Sequence, residues 1–358
     1  MSAIEGACRE STSVVELCRS VHQAVAQVVP TDRWCAFAVD PATLFATNGF
    51  HDEGVSSHVL PRLLELEHGS TDFNQLASLA RSPSGVATLS DATGGDLAAS
   101  ARWRDVIVPS GLSHEMRAVF RDAGRVWGAL VLLRGDGAPD FTAAETSFVG
   151  RASPTIASGF RRVLVRQHLD HGDDAREAGI LMLSGEPLEI RTATSAARQW
   201  LDELDDGRLG DHLPTSVLSA AQAALSNSSG TVAVRTRTRA GRWLTITAEQ
   251  TEGAGGVVGV IVQPSRPAEI AQIVGAAHGL TPRESDIVLL VAAGHTNAEI
   301  ARLLTLSGYT VADHLKRVFA KLEVASRGEL TSKLFYDYYL PRVSSGRPAG
   351  SDGWFLPD

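Results

Sequence analysis

Lysine occurs only three times in the 358 residues, as Lys316, Lys321 and Lys333, all in one C-terminal stretch. From His278 to Arg342 there are eight Lys/Arg against seven Asp/Glu, while the remaining chain carries 25 against 34 within a net charge of −8. A polyanion can therefore be met only at this end of the molecule. If Val311, Leu315, Val318 and Leu322, spaced four, three and four apart, lie on the buried face of one helix, then Tyr309, Asp313, Lys316 and Ala320 point outward. Thr310, His314, Arg317 and Lys321 then form a flanking row. Such an outward face suits hydrogen bonding to base edges, and the flanking row suits phosphates.

Several other constellations point to chemistry that the rest of the chain does not complete. A P-loop, a kinase-type lysine or a Schiff-base lysine needs a Lys that residues 1–315 lack. GAGGVVG at 253–259 has neither the G-x-G-x-x-G spacing nor a following helix, and neither H-E-x-x-H nor G-x-S-x-G occurs. His168 and His171 with Asp173 and Asp174, and Cys8 with Cys18 and His22, have metal-binding residue types, but an exposed linker and an amphipathic helix account for them as well. The reading is of a non-enzyme without cofactor or metal.

The helix that carries the lysines needs neighbours to seat it. Thr281 with Glu284, Thr296 with Glu299, and Ser326 with Glu329 each have the T/S-x-x-E spacing of a capping box, which marks three helix starts. Pro282 suits a first helical position and Gly294 a left-handed helix end. A second helix is expected over about Asn297 to Leu304, and a third from Ser307, a plausible N-cap by residue type. Two short helices joined by a three- or four-residue turn describe a helix-turn-helix, whose second member enters the DNA major groove.

With LTPRE, AAG, NAEIA, TVADHLKRVFAKL and SRGEL in order, the stretch from Leu280 to Phe335 resembles the LuxR-type helix-turn-helix. The resemblance implies an all-α four-helix domain that binds double-stranded DNA as a homodimer, with bases read from positions like Ala312, Asp313 and Lys316 and the backbone held from positions like Thr310, Arg317 and Lys321. Together with the helical geometry, the expected base-facing set is Tyr309, Ala312, Asp313 and Lys316. The expected phosphate set is Ser307, Thr310, His314, Arg317 and Lys321. Ala312 is smaller than the polar residue many relatives carry. Glu323 stands where the family often has Gly, which predicts a slightly different end to the recognition helix. Leu330, Leu334 and Phe335 of the fourth helix are, by the same resemblance, dimer residues.

Upstream, the chain has the size for two or three domains. Residues 12–168 have the order helix, strands at WCAFAVD and LFATNGF, helices around Leu60–Glu67 and Thr71–Leu79, strands at HEMRAVF and RVWGALVLL, and a closing helix opened by Thr142 and Glu145. This α+β order resembles a GAF domain, and a small-molecule effector is expected there. An apolar stripe on the closing helix, Phe148, Ala152, Ile156, Phe160 and Val163, fits either pairing of two copies or packing on its own domain. Residues 175–265 give two strands, helices and three strands, an α+β order that resembles a PAS domain. Pro264 and Pro267 mark a linker to the DNA-binding segment, 268–342, and the Gly/Ser/Pro-rich residues 343–358 are expected to be a disordered tail.

Three cysteines clustered at one end, Cys8, Cys18 and Cys35, are no disulfide framework and point to a reducing compartment. With neither a signal-like start nor an apolar run of membrane-spanning length, the expected location is the cytoplasm and no membrane partner is expected. The chain thus reads as a sequence-specific DNA-binding transcriptional regulator. It is expected to be switched by a small molecule in the first domain or, alternatively, by a partner protein that uses both upstream domains as docking modules.

Overall fold

The computed structural model describes residues 1–52, 55, 57–69, 71–122, 124–166, 177–204, 213–226, 230–238, 242–251, 256–265, 269, 273 and 275–334. It divides into two compact units, residues 1–163 with 177–264, and residues 164–176 with 265–358. His168, His171, Asp173 and Asp174, Pro267, Phe335 and the expected tail lie outside the described residues.

The first unit holds two α+β modules. The first module runs α1 (Ser2–Glu10), α2 (Val14–Ala26), β1 (Arg33–Val39), β2 (Ala46–Asp52), α3 (Leu60–His68), α4 (Leu76–Leu79), β3 (Val86–Thr88), α5 (Leu89–Thr93), β4 (Leu112–Asp122), β5 (Arg125–Gly135) and α6 (Ala143–Arg166). Its strands form an antiparallel sheet in the order β2-β1-β5-β4-β3. Side chains alternate across such a sheet. Trp34, Ala36 and Ala38 are thus buried on one face, and Cys35 and Phe37 point to the other. Cys35 lies opposite Val131 on β5, which lies opposite Arg117 on β4, so these three side chains share that second face.

The apolar stripe of α6 is consumed within this module. Ala152, Ile156, Phe160 and Val163 are at most 1% exposed, and Phe160 stacks on Phe120 with ring centres 6.1 Å apart. A Cβ on Gly128 would come within 2.5 Å of the Phe160 ring, so the close approach of α6 to β5 needs glycine there. Phe148 at the start of the stripe stays half-buried, and from Ala152 onward the stripe is taken up by packing in its own domain and is not available to pair two copies.

Two further departures from the sequence expectations have local causes. The helix expected over Thr71–Leu79 is confined to Leu76–Leu79. Ahead of it the Asp72 carboxylate accepts from the backbone N–H of Phe73 (2.8 Å) and of Arg102 (2.7 Å), and Asn74 has φ 54°. The module also begins earlier than residue 12, because α1 buries Ile4 and Cys8. Burial pushes the Cys8 thiol up to about 11.

The second module comprises β6 (Gly179–Ser184), β7 (Glu189–Ala193), α7 (Ser195–Glu203), α8 (Thr215–Ser226), β8 (Val232–Arg237), β9 (Trp243–Gln250) and β10 (Val258–Pro264). Its sheet order is β7-β6-β10-β9-β8. Counted from each module's own first strand, both sheets have the order 2-1-5-4-3. Trp200, Val217, Ala221, Leu244, Ile246 and Val260 form its core, and Leu60 and Leu64 of α3 belong to the same cluster. At the facing edges of the two sheets Thr236 Oγ1 donates to the Thr47 carbonyl at 2.6 Å. The fully buried Asp40 takes Arg235 Nε at 2.7 Å and Nη2 at 2.6 Å. The modules are thus built as one body.

The second unit contains α9 (Pro282–Ala292), α10 (Asn297–Leu303), α11 (Gly308–Leu322) and α12 (Arg327–Leu334). Ile287, Val291, Ile300, Val311, Leu315, Val318 and Leu330 form its core. The capping boxes at Thr281 and Thr296 are complete. At the fourth helix Ser326 Oγ accepts the Glu329 N–H at 3.1 Å, but the Glu329 carboxylate reaches back to Ala325 N–H (2.7 Å) in place of Ser326. Leu330 is fully buried in this unit's own core, which removes it from the residues expected to pair two copies.

Candidate nucleic-acid interface and a buried cavity

The turn between α10 and α11 is made by Leu304, Thr305 with φ 55°, Leu306 and Ser307. Ser307 caps α11 by accepting the Thr310 N–H at 3.1 Å, and its hydroxyl lies 2.8 Å from Thr310 Oγ1. Arg283 of α9 donates to the Leu304 carbonyl and Arg327 of α12 to the His295 carbonyl, so both turns that flank α10 are tied down. Val311, Leu315, Val318 and Leu322 are buried. The turned-out face carries Tyr309, 87% exposed, with Ala312, Asp313, Lys316 and Arg317, all exposed.

These side chains are not equally available. Lys316 is exposed and, among the described residues, has no ion-pair partner. Arg317 Nη2 binds Asp313 Oδ2 at 2.7 Å across one helical turn, both side chains being about half exposed. An exposed pair of this kind is worth about 0.3–0.5 kcal/mol, so a phosphate can displace the aspartate. Lys321 is committed differently: its Nζ lies 2.6 Å from Oε2 of Glu284, which is 2% exposed and also accepts the Thr281 N–H at 2.8 Å. Burial alone would raise the Glu284 carboxyl, but the Lys321 and Thr281 hydrogen bonds hold it below the usual range. Lys321 thereby fastens the recognition helix to α9. His314 is half-buried, with its Nδ1 enclosed and without a hydrogen bond.

The end of α11 differs from the sequence expectation. Glu323 itself takes the left-handed conformation, φ 55° and ψ 45°, and the Val324 N–H closes the helix on the Phe319 carbonyl at 3.0 Å. The usual helix end is kept at the cost of mild strain on a non-glycine residue.

Residues 278–334 match the family described as bacterial regulatory proteins, luxR family. The C-terminal helices are a luxR-family DNA-binding domain. Over 54 residues the chain is 48% identical to the monoamine regulon transcriptional regulator of Klebsiella aerogenes, covering 15% of this chain and 24% of that protein. It is 48% identical over 54 residues to an HTH-type transcriptional regulator of Mycobacterium bovis, covering 15% of this chain and 6% of that protein. The chain thus spans a quarter or less of these curated relatives. The structure of a GAF domain/HD domain protein from Geobacter sulfurreducens aligns over 44% of this chain and 97% of its own at 20% identity, with a TM-score of 0.32.

Sequence reasoning missed a second site, a cavity of about 110 Å³ on the free face of the first sheet, beneath α3. Leu44, Leu60, Leu63, Val106, Ile107 and Leu133 give it apolar walls. One end is polar and built from a chain of buried charges. Arg102 Nε donates to both Glu115 oxygens (3.1 and 3.2 Å) and Nη2 to Glu115 Oε2 (2.8 Å) and the Phe73 carbonyl (2.8 Å). Arg117 Nε donates to Glu115 Oε1 at 3.0 Å and Nη1 to Glu67 Oε2 at 2.6 Å. Burial alone would raise the Glu115 carboxyl, but the two guanidinium groups hold it below the usual range. Burial pushes the Cys35 thiol up to about 12, so it faces the cavity as a neutral group. Thr215 and Ser219 of α8 complete the lining, so both modules contribute to the wall.

Among the described residues no group of three or more His, Cys, Asp or Glu is placed to hold a metal ion. His22 stacks on Trp34 with ring centres 4.1 Å apart and Cys18 is fully buried, which gives each a packing role. Among the described residues no helix is long and apolar enough to cross a membrane.

Proposed function

We propose that the chain is a cytoplasmic, sequence-specific DNA-binding transcriptional regulator that acts as a homodimer, controlled by a small molecule in its first, GAF-like module. The second module is read as PAS-like and the whole as non-catalytic. The observation that carries the DNA reading is the outward face of α11, where Lys316 is exposed and has no ion-pair partner among the described residues, within a luxR-family domain. In this reading Tyr309, Ala312, Asp313 and Lys316 face bases. Thr310 and Arg317 meet phosphate, with Ser307 and His314 beside them, and Lys321 acts mainly by holding the helix in place. The cavity beneath α3, with largely apolar walls, supports a small molecule as the effector. One recognition helix spans few base pairs, so two copies should bind half-sites about 10 base pairs apart.

The test is the specificity ratio of single variants on a preferred duplex and a scrambled one. Lys316→Ala should lower the ratio by about 1–3 kcal/mol, the value of one good base contact. Arg317→Ala should weaken both duplexes alike and reduce the salt slope by about one per subunit, about two for the dimer, because a phosphate contact releases counterions without reading sequence. An unchanged ratio in Lys316→Ala contradicts the assignment.

A further inference from the structure

The turned-out face of α11 is not uniformly polar. Tyr309 and Lys316 stand seven residues apart, almost in line along the helix, with Ala312 on one side of that line and Asp313 on the other. Asp313 is held by Arg317 at 2.7 Å, on the side away from Ala312. Tyr309 and Ala312, three residues apart, are neighbours on the helix surface and together make its apolar part.

Tyr309 is 87% exposed, and among the described residues neither its ring nor its hydroxyl has a partner. Such a ring gains by leaving water, and because it turns on few torsions it can be covered at a small cost in side-chain entropy. Its base is fixed as well, since Ser307 caps the first turn of α11 by accepting the Thr310 N–H at 3.1 Å. In a helix-turn-helix the first turns of the second helix meet base edges in the major groove. The edges presented there are hydrogen-bond donors and acceptors with one apolar exception, the C5-methyl group of thymine. An aromatic ring beside an alanine methyl suits that group and none of the others.

We propose that Tyr309 and Ala312 together read the C5-methyl group of a thymine, about two or three base-pair steps from the pair met by Lys316. This rests on the reading of α11 as the base-facing helix, and it names what that helix selects at its first turn. The spacing follows from the helix: seven residues rise by ~10 Å. Side chains that far apart on a helix in the major groove reach bases about two steps apart. Covering one methyl group corresponds to about fourfold in affinity.

The experiment uses the full chain and the duplex recovered by selection from a random library. Each thymine of one half-site is replaced in turn by deoxyuridine, which removes the methyl group and leaves every donor and acceptor in place. One replacement should weaken binding about fourfold, about two or three pairs from the position whose preference is lost in Lys316→Ala. Tyr309→Ala should bind the thymine and uridine duplexes equally. Tyr309→Phe should retain the fourfold ratio, because the ring and not the hydroxyl covers the methyl group; far-UV circular dichroism checks that each variant is folded. A methyl effect that persists in Tyr309→Ala overturns the proposal, as does a Tyr309→Phe protein in which the ratio is lost. A recovered motif with no methyl-sensitive thymine overturns this proposal alone and spares the reading of α11 as base-facing. A library that yields no motif overturns that reading and this proposal with it.

Discussion

Glu115→Ala is expected to destabilise the first unit by about 3–5 kcal/mol, the cost of removing one partner from a buried ion network. Glu115 is 2% exposed and accepts from Arg102 and Arg117, themselves 1% and 4% exposed. Its loss leaves two guanidinium groups enclosed against Glu67 and Asp72 alone. Denaturant unfolding of the full chain, followed by the first unit's tryptophan signal, measures this, and a loss under about 1 kcal/mol contradicts the role given to the network. The pH dependence has a definite sign. The folded Glu115 carboxyl lies below its ordinary value of 4.5, so its contribution is fully present above that value and is lost as pH falls through the lower folded value. Glu115→Gln should flatten this acid limb.

Leu315→Ala is expected to cost about 2–5 kcal/mol in the second unit and to abolish DNA binding by unseating α11, while the first unit unfolds as before. Leu315 is 4% exposed in a core that it shares with Ile287, Ile300, Val318 and Leu330. The neighbouring Lys316→Ala should leave unfolding unchanged. Separate unfolding signals for the two units check both expectations. A Leu315→Ala protein with wild-type stability would show that this helix is not held by its buried face.

Legibility in the sequence followed how local the cause was. Thr281, Thr296 and the four-three-four spacing of Val311, Leu315, Val318 and Leu322 act within one or two helical turns, and the four helices could be read from them. Most strands of both modules were legible as apolar runs bounded by turn residues, as at β1, but β3 (Val86–Thr88), only three residues long, was not. Nor was the cavity. Glu67, Asp72, Arg102, Glu115 and Arg117 are scattered over 50 residues, and each alone has the look of a solvated surface charge. Only the register that sets Arg117 beside Val131 and Cys35 brings them together. The α6 stripe shows the converse limit, since periodicity says that a face is apolar without saying what covers it. Lys321 was likewise legible as a cation but not as the partner of Glu284, 37 residues away.

The central claim is that α11 reads base sequence. Its most direct test is selection of the full chain against a random duplex library, with sequencing of the bound fraction over several rounds. The account predicts enrichment of one motif with two inverted half-sites about 10 base pairs apart, and loss of that enrichment in Lys316→Ala at unchanged total DNA retention at low salt. Retention of DNA by the wild-type chain with no motif enriched over the input library would contradict it.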